Sequence, residues 1–320
     1  MRIAFGILSS NNTAAAIQQI IDAIGSEHTI IIHHDFSKQP DFSVTGDNVY
    51  VIENYLHTTW ARWSLVEATL LLIETALARG EFDYFQLLSD TSFTIQPIPK
   101  FVDYLKETQP DASLDYVSLN DNLTVMMSHD YRAFTVMNSI RYKILRRLKF
   151  WYELDRTETQ TIGGILVRST SSTRKPPLFW LQYAVMQLAA HGIGFTHPFG
   201  RKLNCYAGSQ WFGCSSAMCM KIMDWVKKNT QVVNHFKNML IPDEFFFQTV
   251  ILNLQPHNIV QSNHFVSVFD KEADYRGSTF LTIDDTEQLT LSGKFFARKF
   301  PKEPEHPLRL KVLDYVNSRS

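Results

Sequence analysis

Apolar and polar positions along the first hundred residues alternate between two periods. Ile3 to Leu8 is a short unbroken apolar run, the pattern of a strand buried on both faces, and Ser9 to Thr13 is a polar loop. Ala14, Ile17, Ile20, Ile21 and Ile24 then recur at helical spacing up to Gly25, a helix stop. Thr29 to Asp35 is a β-branched run ending in His33-His34-Asp35, and Tyr50 to Ile52 is a third strand. Ser64 to Ala78 predicts a helix, and Tyr84 to Leu88 a strand closed by Ser89-Asp90. This βαβα order predicts an α/β fold with a mainly parallel central sheet flanked by helices.

Beyond residue 100 the pattern is less regular. It predicts helices over 101–108, 179–191, 216–228 and 242–254, a strand over 116–119 and an extended stretch over 205–212. Residues 169–177 read as a polar loop, and 308–316 as an amphipathic end segment. No internal repeat or linker stands out, so the chain reads as one domain.

Composition narrows the function. A net charge of −1 lacks the basic excess of a nucleic-acid binder. The three cysteines, Cys205, Cys214 and Cys219, show no Cys-x-x-Cys spacing, which argues against a disulfide framework or a thiolate zinc site and suits a reducing, cytoplasmic setting. No apolar run reaches the roughly 18 residues of a membrane span, and the N-terminus reads as a first strand rather than a signal peptide. Arg141 to Trp151 interleaves five cations with Ile144, Leu145, Leu148, Phe150 and Trp151; it reads either as a peripheral contact with an anionic membrane or as a solvated helix face.

Ligands of open α/β sheets bind beyond the carboxyl ends of the strands. Three polar clusters are expected there: Ser9-Ser10-Asn11, His33-His34-Asp35 and Ser89-Asp90-Thr91-Ser92. Each alone is ordinary turn chemistry; together on one rim they point to a nucleotide or sugar site. There is no Gly-x-Gly-x-x-Gly and no P-loop. His33 and His34 are strand neighbours facing opposite ways, which speaks against a shared metal ion. Pro242 suits a first helical turn, so Asp243 and Glu244 are expected where the helix dipole favours anions, either as an ordinary helix start or as a placed proton acceptor. Lys294-Phe295-Phe296-Ala297-Arg298-Lys299-Phe300 interleaves cations with aromatic rings, as a solvated basic edge or as a diphosphate clamp.

With Gly208-Ser209-Gln210-Trp211-Phe212, these last two segments resemble the core-2/I-branching β-1,6-N-acetylglucosaminyltransferase family, which includes the peptide O-xylosyltransferases. The resemblance extends in order through His33-His34-Asp35, Trp60 to Ala68, and Leu87 to Pro97. It implies a single GT-A-like domain over 1–120 (nucleotide-binding half) and 121–320 (acceptor-binding and catalytic half), of the compact bacterial type. It implies inverting transfer from a UDP-sugar, most simply UDP-GlcNAc, to a hydroxyl of a surface-polysaccharide or lipid-linked precursor. UDP-xylose or another UDP-hexose is the alternative donor. By position Glu244 matches the base and Lys299 the diphosphate-binding lysine. Arg298 stands beside it as a helper, and Lys294 is the candidate for the family's second cation.

Ser9, Asn11, His33, Asp35 and Asp90 complete the expected donor site, and Ser209, Trp211 and Asp243 the acceptor site, with Trp211 offering a face to a sugar. No divalent metal or other cofactor is expected, in keeping with the missing Asp-x-Asp. Two rival readings remain. A hydrolase using Asp243 and Glu244 conflicts with the divergence of adjacent helical side chains. A non-catalytic sugar-nucleotide binder would bind without turnover.

Overall fold

The structure, a computed structural model, describes residues 1–121, 158–162, 165–169, 199, 202–268 and 278–319. The basic segment 141–151, the loop over 170–177 and the helix expected over 179–191 lie outside the described residues.

Seven strands form the central sheet in the order β12-β6-β11-β4-β1-β2-β3. These are β1 (Ile3–Ser9), β2 (Thr29–His34), β3 (Val49–Val51), β4 (Tyr84–Ser89), β6 (Ala112–Leu114), β11 (Phe212–Ser215) and β12 (Ile259–Val260). Six run parallel and β11 alone is antiparallel, between β4 and β6. β1 and β4 are buried at every position, as strands covered on both faces must be. A smaller sheet, β13 (Phe265–Ser267), β14 (Phe296–Arg298) and β5 (Phe93–Thr94), stands beside it. Two antiparallel pairs complete the described strands: β7 (Val117–Ser118) with β10 (Tyr206–Ala207), and β8 (Glu158–Ile162) with β9 (Ile165–Ser169).

The helices follow the apolar periodicity. α1 (Ala14–Ile24) is capped by Thr13, whose hydroxyl accepts from Ala16 N at 3.1 Å, and it buries Ile17, Ile20, Ile21 and Ile24. Gly25, at φ 82°, ends it in a conformation that favours glycine. α2 (Trp63–Arg79) packs on β1 and β2. α3 (Ile98–Thr108) starts three residues before its expected beginning, because Pro99 sits in the first turn, where no N–H is needed. α4 (Ser216–Lys228) matches its expected bounds, with Ser215 as cap. α5 (Thr230–Lys237), α6 (Phe246–Asn253), α7 (Thr286–Leu291) and α8 (Pro307–Asn317) follow. Among the described residues no helix is long and apolar enough to cross a membrane.

One expectation fails locally and another is met only in part. The helix expected over 242–254 is broken: Pro242–Glu244 is a 3-10 turn, and Phe245, at φ −134°, leaves helical geometry before α6 begins. The stretch 205–212 is not one strand; only its two ends join sheets. The tail carries a feature that amphipathy does not foretell. Arg309 of α8 is fully buried, and its Nε donates to Pro301 O at 2.6 Å and its Nη1 to Gln19 Oε1 at 3.2 Å. Burial pushes its pKa down to about 10. The guanidinium thereby fastens the C-terminal segment to α1.

Candidate active site at the carboxyl rim of the sheet

The loops after β1, β2 and β4 meet at one rim, as expected, and their polar side chains mostly bond to one another. Asp35 is fully buried. Its Oδ2 accepts from Thr58 N at 2.8 Å and Thr58 Oγ1 at 2.9 Å, and its Oδ1 from Ser37 N at 3.2 Å. Lys38 Nζ lies 3.4 Å away. Burial alone would raise this carboxyl's pKa; the Ser37 and Thr58 bonds and Lys38 reverse that and hold it far below the usual range. His33 Nε2 accepts from Leu56 N at 2.9 Å. His34 Nε2–H donates to Gln39 O at 2.9 Å, so its Nδ1 accepts from Ser9 Oγ at 2.9 Å. Both rings are buried, and burial lowers both pKa values. The two imidazoles serve opposite neighbours, as strand geometry requires.

Asp90 Oδ2 accepts from Ser10 N at 3.1 Å and Asn11 N at 3.4 Å, closing the β1 loop against the β4 loop. Asn12 Nδ2 donates to Asp90 O. Ser9, His33, Asp35 and Asp90 thus bond to neighbouring parts of these loops, whereas Asn11 stays exposed. Lys302 was not foreseen: its Nζ donates to Asn11 O at 2.9 Å, adding a cation to this edge. It stands only three residues after Lys299, but Phe300 and Pro301 separate it from the cation–aromatic run that marks the others.

The second half of the rim is built around the connection from Gly208 to Trp211. Gly208 N donates to Glu244 O at 2.8 Å, pinning the Pro242–Glu244 turn. A Cβ on Gly208 would stand 1.9 Å from Asp115 O, so this close approach needs glycine. Asp243 is buried and Glu244 half-buried. Because α6 starts only after Phe245, neither carboxylate stands in its first turn, and the α6 dipole does not favour the Glu244 charge in the way the sequence predicts.

At the far end of the connection, Trp211 is 4% exposed, packs against Phe265 and carries the Arg298 guanidinium 4.4 Å above its ring. The expected sugar-stacking role of Trp211 therefore fails in this arrangement: its rings are enclosed and a face is taken by arginine. Ser209 is likewise buried, and its carbonyl accepts from Gln248 Nε2. Arg298 ends β14, and Lys299 follows, half-buried. Burial, and then the Arg298 charge, lower the Lys299 pKa; Asp90 opposes the shift. Lys294 does not join this pair. Its Nζ donates to Ser262 Oγ at 2.7 Å, beyond β12, and its charge acts on Asp115, beyond β6. Burial still leaves the Asp115 pKa raised.

These elements define an α/β protein whose titratable groups gather at the carboxyl end of a mainly parallel sheet. The sequence profile described as Branch: Core-2/I-Branching enzyme matches residues 3–158. Over that stretch, just under half of the chain, it is similar to the core-2/I-branching enzymes, a family of glycosyltransferases. No curated protein matches the chain.

Among solved structures, S. aureus TarS aligns at 10% identity over 36% of this chain and 21% of that one, with a TM-score of 0.24. A197 from STIV aligns at 13% identity over 37% and 48%, with a TM-score of 0.21. HddC from Yersinia pseudotuberculosis aligns at 12% over 36% and 59%, with a TM-score of 0.24. The matched stretch thus spans about a fifth of TarS. Overlaps this small carry no weight for substrate or reaction.

Proposed function

We propose that the chain is an inverting glycosyltransferase that moves a sugar, GlcNAc first among the candidates, from a UDP-sugar to a hydroxyl of a glycan acceptor. The observation that carries this reading is the Gly208–Trp211 connection. One end is bonded to the Glu244 turn, and the other lies beneath Arg298, next to Lys299. A candidate base and two candidate diphosphate cations are thereby tied to one four-residue span.

In the proposed reaction the Glu244 carboxylate takes the proton of the acceptor hydroxyl. The freed oxygen attacks the anomeric carbon from the face opposite the UDP, and the bond to the diphosphate oxygen breaks. Lys299, with Arg298, offsets the charge gained by the leaving diphosphate, in place of a divalent ion. Arg298 presents a planar fork and Lys299 a compact charge, two complementary ways to meet phosphate oxygens. The rim loops after β1 and β2 would receive the nucleoside through the half-buried Ser10 and exposed Asn11 rather than through the occupied Asp35 carboxylate.

We take the acceptor to be a bacterial surface-polysaccharide or lipid-linked precursor, met at the inner membrane face through 141–151. That contact rests on sequence alone. The donor half, 1–120, and the acceptor and catalytic half, 121–320, would act as one domain.

Replacing Glu244 by Gln tests the core of the reading. UDP binding, read by calorimetry, should persist, while transfer should fall by about 10²–10⁴-fold, the usual contribution of a general base. Near-normal turnover would remove Glu244 from the mechanism.

A further inference from the structure

We propose that Trp60 is the sugar-binding platform of this site and that its indole face receives a pyranose ring of the acceptor. The inference rests on Glu244 as the base, because the loop that carries Trp60 is bonded to the residue preceding the Pro242–Glu244 turn. Trp60 is 70% exposed, on a loop that is otherwise held tightly. Before it, Thr58 donates twice to the buried Asp35. After it, Thr59 N donates to the Ser64 hydroxyl at 2.9 Å, and Arg62 N to Thr59 O at 3.2 Å.

Ala61, itself buried, adopts φ 63°, and its carbonyl accepts from Ile241 N at 2.9 Å. Ile241 in turn adopts φ 54°. Left-handed backbone is unfavourable for alanine and more so for a β-branched residue, and persists where the surroundings impose it. The two strained residues bond the Trp60 loop directly to the residue preceding Pro242-Asp243-Glu244. A lone exposed tryptophan on a mobile loop would mean little. Here the large aromatic surface stands on a hydrogen-bonded loop, clipped to the turn that carries the base and anchored to the rim at Asp35. Trp211, the other aromatic candidate, is enclosed beneath Arg298. An aromatic ring with one apolar face open to water suits the C–H-lined face of a sugar, and Trp offers the largest such face.

The test uses the full chain saturated with UDP. Saturation-transfer NMR reads the binding of methyl β-glycosides of glucose, galactose and N-acetylglucosamine, and calorimetry reads UDP. At least one glycoside should bind the unaltered protein. Trp60→Ala should weaken it by roughly three- to tenfold, the range of an ordinary aromatic stack. Trp60→Phe should recover part of the loss, and UDP affinity should stay within about twofold in both variants. Because Trp60 is solvent-exposed, both variants should fold. Failure of every glycoside to bind the unaltered protein would overturn the proposal, as would full glycoside affinity in Trp60→Ala. Loss of UDP affinity with glycoside binding intact would also overturn it, by moving the ring to the donor side. The readout needs no turnover, so it stands apart from the Glu244→Gln result: normal transfer in that variant removes the base, whereas normal glycoside binding in Trp60→Ala removes only the platform.

Discussion

The two halves of the rim hold their polar groups under different electrostatic conditions. On the β1–β2–β4 side, Asp35, His33, His34 and Asp90 each serve another part of the chain, and the Asp35 carboxyl accepts from two residues at once. On the β11–β14 side, Arg298 and Lys299 are two adjacent cations on a short strand end, and Lys299 is held under a desolvation penalty. A group whose charge is stabilised by neighbours builds the loop; a group whose charge is disfavoured by its surroundings is poised to gain from an incoming anion. A polar cluster at a strand end therefore marks the site without telling which of its members touch the ligand.

The largest expected effect that would break this comparison comes from Asp35. Asp35→Ala leaves Thr58 and Ser37 donors facing a void and should cost about 3 kcal/mol in denaturant unfolding. The deficit carries a pH signature. A carboxyl whose folded pKa is depressed contributes stability above its unfolded value, near pH 4, and loses it as the pH falls through the folded value. The gap between Asp35→Ala and the unaltered protein should thus narrow in acid. A gap unchanged down to pH 2, or no gap at neutral pH, would contradict a structural role.

Lys299→Ala should do the reverse: unfolding changes little, UDP binding weakens by about tenfold or more, and turnover falls further, since a charge-assisted bond to phosphate contributes roughly 1.5–3 kcal/mol. Transfer by the unaltered protein should also survive EDTA; abolition by EDTA with rescue by Mn²⁺ would replace the lysine account with a metal.

The smallest effect sharpens the contrast further. Because burial and Arg298 lower the Lys299 pKa in the free protein, that lysine loses its proton at lower pH than an ordinary one. UDP affinity should decline on the alkaline side before free lysine would titrate, and the decline should be absent in Lys299→Ala. Calorimetry in buffers of different ionisation enthalpy would also register proton uptake on binding there; no uptake would count against the depressed pKa.

Much of the frame is legible in the chain. The unbroken run Ile3–Leu8, the β-branched Thr29–Ile32 and the helical spacing of Ile17, Ile20, Ile21 and Ile24 lead to β1, β2 and α1 within a residue or two. The rim follows from strand order. What periodicity misses is set by contacts distant in sequence. The break at Phe245 depends on Gly208 and Ala61 holding the Pro242–Glu244 turn from outside. The enclosure of Trp211 depends on β14 delivering Arg298. Lys294 and Lys299 read as one cluster in the sequence, yet one bonds to Ser262 and the other follows Arg298 at the end of β14.

By itself, then, the sequence determined the α/β class, the rim on which polar loops converge and the residue types available there, because hydrophobic period and turn chemistry act over a few neighbouring residues. Only the tertiary structure decided which of those residues are consumed in shaping loops, which carry charge into a desolvated edge, and that Trp60 rather than Trp211 stands open. Those outcomes depend on burial and on hydrogen-bond partners from tens to hundreds of residues away, and no local pattern encodes the partner.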